Sequence, residues 1–144
     1  MLFDSHAHLD NSRFDDDRDG IIKEAKEKGL QYIINPGADL NTSIEAVNLA
    51  EKYDMIYAAV GVHPHDVKDI DEDTLTIIKS LTTRNKVVAI GEIGLDFYYD
   101  HSPREEQRKW FKRQIELAQE VKLPIIIHDR DAHGDTLEIM KEFP

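Results

Sequence analysis

The chain contains no cysteine. That excludes a disulfide framework, a thiolate metal site and a cysteine nucleophile. Positive charge is also scarce: 18 Lys and Arg stand against 29 Asp and Glu, for a formal net charge of -11. A protein that grips nucleic acid through a broad basic face is thereby excluded. A nucleic-acid enzyme is not, because bound cations supply local positive charge. No apolar run approaches the roughly 20 residues that span a bilayer. The stretch from Met1 to Asp10 has neither the basic nor the hydrophobic part of a secretory leader. These absences lead to the expectation of a cytoplasmic protein with no membrane segment. Glycine-rich phosphate loops of the G-x-G-x-x-G or G-x-x-x-x-G-K-[ST] type are missing, as is a G-x-S-x-G nucleophile elbow.

What is present is an alternation of short apolar runs and longer amphipathic stretches. Strands are predicted from Leu2 to near His6, and over 30–35, 55–60, 87–91 and 124–128. Helices are predicted over 17–29, 41–53, 71–81, 102–122 and 131–142. Their core stripes are Ile21, Ile22 and Ala25 in the first, Ile44, Val47 and Leu49 in the second, and Leu75, Ile78 and Leu81 in the third. Gly29 closes the first helix and Asp71 caps the third. Ser102-Pro103-Arg104-Glu105 reads as the start of the longest helix, with Ser102 as its cap. The acidic excess falls largely on these helices and reads as solvated surface.

Strand and helix alternate about five times, which implies parallel strands joined by right-handed helical crossovers. An open doubly wound sheet and a β/α barrel both satisfy that pattern. The loops favour the barrel, because polar residues cluster after several strands, where barrel enzymes build their sites. A closed barrel has eight units in typically about 250 residues. The expectation is therefore one α/β domain over 1–144, an incomplete TIM-barrel-type fold forming the N-terminal portion of a longer barrel.

Four segments carry chemistry. His6 and His8 are two residues apart on extended backbone, so both imidazoles can reach one cation. Glu92 follows the fourth run between Gly91 and Gly94, where a carboxylate can hold or bridge metal ions. His128 emerges after Ile125-Ile126-Ile127. His63 and His65 follow the third strand; contact with substrate, or with a carboxylate behind the ligands, is favoured over direct ligation. Arg130 can clamp a phosphate or carboxylate, or pair with Asp129, Asp131 or Asp135. His101 and His133 read as surface residues. With no serine elbow and no cysteine, a metal-activated water is the leading nucleophile.

Together, Phe3-Asp4-Ser5-His6-Ala7-His8-Leu9, Gly61-Val62-His63-Pro64-His65, Gly91-Glu92-Ile93-Gly94-Leu95-Asp96 and Leu123-Pro124-Ile125-Ile126-Ile127-His128-Asp129-Arg130 closely resemble the TatD family of metal-dependent deoxyribonucleases. The resemblance covers the whole chain, with the motifs in family order. It implies an amidohydrolase-like TIM barrel that hydrolyses DNA phosphodiesters, often as an exonuclease. It implies two divalent ions of the magnesium, manganese or zinc type. His6 and His8 match the ligands of the first ion, His128 matches a ligand of the second, and Glu92 matches the carboxylate that touches both and serves catalysis. His63, His65 and Arg130 are the expected substrate-binding residues. The family's further histidine and its aspartate general base fall beyond Pro144. DNA is the expected partner; the family is monomeric, and a truncated chain is expected to associate through open sheet edges. Two alternatives stand beside this: an amide or ester hydrolase, including an aminoacyl-tRNA deacylase, and a catalytically incomplete fragment.

Overall fold

The computed structural model describes residues 2–143. Five strands form one parallel sheet: β1 (Leu2–Asp4), β2 (Leu30–Pro36), β3 (Ile56–Val60), β4 (Val87–Asp96) and β5 (Ile125–Arg130). Five helices separate or follow them: α1 (Arg18–Glu27), α2 (Leu40–Lys52), α3 (Glu72–Leu81), α4 (Arg104–Val121) and α5 (His133–Lys141). Short 3-10 turns cover Ser12–Phe14 and Val67–Asp69. The strand order is β1-β2-β3-β4-β5. A doubly wound sheet reverses its order at a switch point; this one never does. The expected barrel-type arrangement is therefore what forms, as a half-barrel of five βα units.

Local signals explain most boundaries. Asp39 and Asp71 cap α2 and α3 reciprocally, each accepting from the amide of the threonine three residues on, Thr42 and Thr74. Gly29 stands beyond the end of α1 at φ +93, a conformation that costs glycine little. The core lies between the sheet and its helices, around Ile33, Ile56, Val60, Ile90, Ile93 and Phe111. Each is at most 3% exposed, so this layer is fully closed. No helix among the described residues is long and apolar enough to cross a membrane.

Three expectations need correction. Ile44 is exposed rather than buried. The inner face of α2 instead carries Ser43, whose hydroxyl donates to the Gly61 carbonyl and accepts from the Gly61 amide. Ser102 does not cap α4; Pro103 holds that position, and the Ser102 hydroxyl donates to the His65 carbonyl and accepts from the Lys68 amide. Strand β4 does not stop at Gly91 but continues to Asp96, with a bulge between Ile90 and Ile93. The glycines that suggested a turn are there because β5 runs so close. A Cβ on Gly94 would lie 1.9 Å from the His128 carbonyl oxygen, and one on Gly91 would lie 2.7 Å from Ile126.

Candidate metal centre

The C-terminal ends of the strands bring the polar residues together. After β1, the loop carrying His6 and His8 is fastened at several points. The Ala7 amide donates to the Ile34 carbonyl and the His6 amide to the Asp4 carboxylate. Asn35, fully buried near the end of β2, accepts from the amides of Leu9 and Asp10 and donates to the Asp10 carboxylate at 2.9 Å. So held, the two imidazoles turn their Nε2 atoms toward each other at 3.1 Å.

Glu92 projects from the bulge of β4 into this space. Its Oε2 lies 3.3 Å from His6 Nε2 and 3.6 Å from His8 Nε2, and its Oε1 lies 3.0 Å from His128 Nδ1. Burial pushes the Glu92 carboxyl up. The His128 hydrogen bond and the nearby His63 and His6 outweigh that and hold it below its ordinary value. The ligand atoms of His6, His8 and Glu92 all lie within 4.8 Å of one another, as do those of His63, His65 and His128. By spacing alone, either group could hold a metal ion.

The second group is less open than the first. His63 Nδ1 accepts from the His65 amide at 3.1 Å. A neutral ring accepting there carries its proton on Nε2, so it offers an N–H rather than a lone pair. Burial, followed by repulsion from His128, lowers the His63 pKa to about 4, so the ring is neutral near pH 7. His65 Nε2 and His128 Nε2 share one oxygen of Asp96, each at 2.9 Å. The Glu92 hydrogen bond raises the His128 pKa, with Asp96 adding to it against the opposing effect of burial. A ring nitrogen that binds a metal cannot also carry a proton. Ligation through one His128 nitrogen would leave the other on its carboxylate, orienting the ring.

Arg130 follows His128 by two residues, on the same side of β5. Among the described residues it joins no ion pair. Asp129 pairs with His133 and Asp135 with Arg108. The Arg130 guanidinium lies instead over the rings of Tyr98 and Tyr99. His133 is a surface residue, as expected. His101 is exposed too, yet its ring packs edge-on against His65 at 4.6 Å, at the border of the site.

Three residues behind the site escaped the motif reading. Asp96 was visible in its motif, but it lay past the predicted strand end and no role followed. Gln107 and Gln114, on one face of α4, are fully buried. Gln114 accepts from the Val62 amide and donates to the Val62 carbonyl; Gln107 does the same to Asp96 and also donates to the Ser102 carbonyl. Glutamines on a charged helix look solvent-facing, and no periodicity argument distinguishes these two.

A family model described as TatD related DNase matches residues 3–144. The chain belongs to the TatD family. It is 49% identical over 142 residues to an uncharacterized metal-dependent hydrolase, YabD, of Bacillus subtilis, spanning 99% of this chain and 56% of that protein. It is 36% identical to the 3'-5' ssDNA/RNA exonuclease TatD of Citrobacter koseri, over 97% of this chain and 54% of that one. Among solved structures, the TatD homolog YJJV of Escherichia coli superposes with a TM-score of 0.90 at 32% identity, covering 98% of this chain and 55% of its own. An uncharacterized amidohydrolase from Saccharomyces cerevisiae gives the same TM-score at 20% identity and shares the fold. This TatD-family chain thus spans about half the length of the relatives it matches.

Proposed function

We propose that this chain supplies the metal-binding face of a divalent-metal-dependent phosphodiesterase acting on DNA. The observation that carries the reading is the placement of Glu92. One of its oxygens faces His6 and His8, and the other faces His128. A buried carboxylate with imidazoles on both oxygens has the donor chemistry of a bridging ligand between two ions. His6, His8 and Glu92 would hold one ion; Glu92 and His128 would contribute to a second. Zinc- and manganese-type ions suit this nitrogen-rich set, and a magnesium ion would rely on the Glu92 oxygens and water. Such ions, held by these residues, would supply Lewis-acid chemistry for a phosphoryl oxygen and lower the pKa of a bound water.

The chain's own residues account for the choice of a phosphate over an amide. The neutral His63 ring presents an Nε2–H, and Arg130 presents a guanidinium that joins no ion pair among the described residues. Both are donors suited to phosphoryl oxygens, and an arginine can grip them in a bidentate manner. His65 is tied to Asp96 and lines the same rim. Asp96 orients His128, leaving Glu92 as the carboxylate nearest the reacting atoms. The relatives named 3'-5' ssDNA/RNA exonuclease support a nucleic-acid substrate.

Two measurements test this. Calorimetric titration of the chain with Mn2+ should give binding that Glu92→Gln weakens at least about tenfold, as expected on loss of a charged ligand. The protein as expressed from its own gene, given 3'-labelled single-stranded DNA and Mg2+ or Mn2+, should shorten it, and EDTA should stop the reaction. Cleavage indifferent to chelator, or hydrolysis of amides with DNA left intact, would overturn the proposal.

A further inference from the structure

Beside the metal centre lies a group of rings that the chemistry above does not use. Tyr98 and Tyr99 lie just beyond Phe97 in the loop after β4 and are 57% and 48% exposed. Tyr99 lies parallel to the His101 ring, with 5.2 Å between centroids and 5° between planes. Tyr98 meets Tyr99 edge-on at 4.7 Å. The Arg130 guanidinium lies 4.1 Å from the centroid of Tyr98 and 4.7 Å from that of Tyr99.

This group is built rather than incidental. The second oxygen of Asp96 accepts from the amides of both Tyr98 and Tyr99, at 3.1 and 3.0 Å. Arg104 crosses the loop behind them, donating to the Asp100 carboxylate and the Phe97 carbonyl. Ser102 and Gln107 pin its far end. The backbone under the rings is therefore fixed by the same buried carboxylate that orients His65 and His128. The His65 ring touches both Tyr99, at 5.5 Å, and His101, at 4.6 Å. The platform thus begins one side chain away from the proposed ion site.

We propose that Tyr98 and Tyr99, with Arg130 against their faces, form a stacking platform for an unpaired nucleobase next to the scissile phosphate. Every base has a π-face, so a stacking site accepts any sequence. In a duplex those faces are already covered by neighbouring base pairs. The platform consequently favours single strands and strand ends over duplex interiors, and it lets an acidic protein hold a polyanion with little phosphate contact. Arg130 contributes a charge that reaches both base and phosphate. This inference rests on the phosphodiesterase reading and names the part of the substrate recognised outside the reacting bond.

The test is the paired change Tyr98→Ala and Tyr99→Ala, made at exposed positions so that the fold is kept. Fluorescence anisotropy with a labelled single-stranded oligonucleotide should show affinity at least about tenfold weaker than for the parent. Tyr98→Phe with Tyr99→Phe should restore it, since stacking needs the ring and not the hydroxyl. An oligonucleotide without bases should bind the parent weakly and should not distinguish the variants. Mn2+ affinity, which involves neither tyrosine, should be unchanged. Equal affinity of parent and alanine variant for the normal strand would overturn the platform, as would an equal loss on the baseless strand or a parent that binds no single strand. If the parent binds single strands through these rings but never cleaves them, the phosphodiesterase reading fails and the platform stands.

Discussion

Asp96 holds four groups with two oxygens. His65 and His128 share Oδ2, and the amides of Tyr98 and Tyr99 share Oδ1. Burial pushes its carboxyl up; the hydrogen bonds from Tyr99, His128 and His65 outweigh that and keep it well below the usual carboxylate range. Asp96→Asn replaces one acceptor oxygen with an NH2 group, which faces either two ring nitrogens or two amide protons. The expected loss is about 2–4 kcal/mol in urea unfolding, and an unaltered midpoint would contradict the hub role. His128 titrates against the same network. Its folded pKa is raised above 6.5, so its contribution to stability is complete below 6.5 and fades as pH rises through the folded value. Glu92 is shifted down from 4.5, so its contribution is present above 4.5 and is lost as pH falls through the lower folded value. A ligating nitrogen must shed its proton, so Mn2+ affinity of the chain should rise severalfold between about pH 6 and about pH 8. An affinity flat over that interval would remove His128 from the ligand set.

At the scale of elements, α4 is the brace of the site. Gln107 and Gln114 are seven residues apart, close to two helical turns, so both face the strand ends. Gln114 satisfies both backbone polar groups of Val62, next to His63. Gln114→Leu fills similar space and leaves a buried amide and carbonyl unpaired. Urea unfolding should register a loss of about 2–4 kcal/mol, and an unchanged midpoint would mean that water replaces the side chain. Gln114→Glu keeps the acceptor and loses the donor, and its cost should be at least as large because it buries a charge. The order and type of all five strands and five helices were legible, because apolar runs and amphipathic stripes depend only on local sequence. What was not legible depends on distant approach. Gly91 and Gly94 read as a strand end, but they accommodate β5. Ser102 read as a cap but ties the loop after β3 to the loop before α4. Likewise, His6, His8, Glu92 and His128 were singled out from their places after strands, and the structure brings them together, whereas Asp96, Gln107 and Gln114 act through partners on other elements.

At the scale of the sheet and its helices together, the surface uncovered among the described residues is the concave side of the sheet. Phe3, Tyr32 and Tyr57 form an aromatic row across β1, β2 and β3, with ring centroids 6.5 and 5.9 Å apart. With Ile34, Val88 and Ile126 they line an apolar groove of about 520 Å³. Strands that read as continuous apolar runs are those built to be covered on both faces, and here the helices cover one. An apolar patch of this kind, beside the edge strands β1 and β5 of the described residues, promotes association. The net charge of -11 opposes it. The two forces separate by salt. Raising ionic strength from about 0.01 M to about 0.15 M shortens the screening length from roughly 30 to 8 Å, which weakens repulsion between copies and leaves apolar contact intact. The 144-residue chain should therefore bind an apolar dye such as ANS and sediment as larger species at higher salt, the reverse of an assembly held by ion pairs. Phe3→Glu with Tyr32→Glu places charge on the exposed row and should reduce both signals, with the helix-side core undisturbed. A chain that stays monomeric and binds no dye at any salt concentration would show that this face is closed in solution.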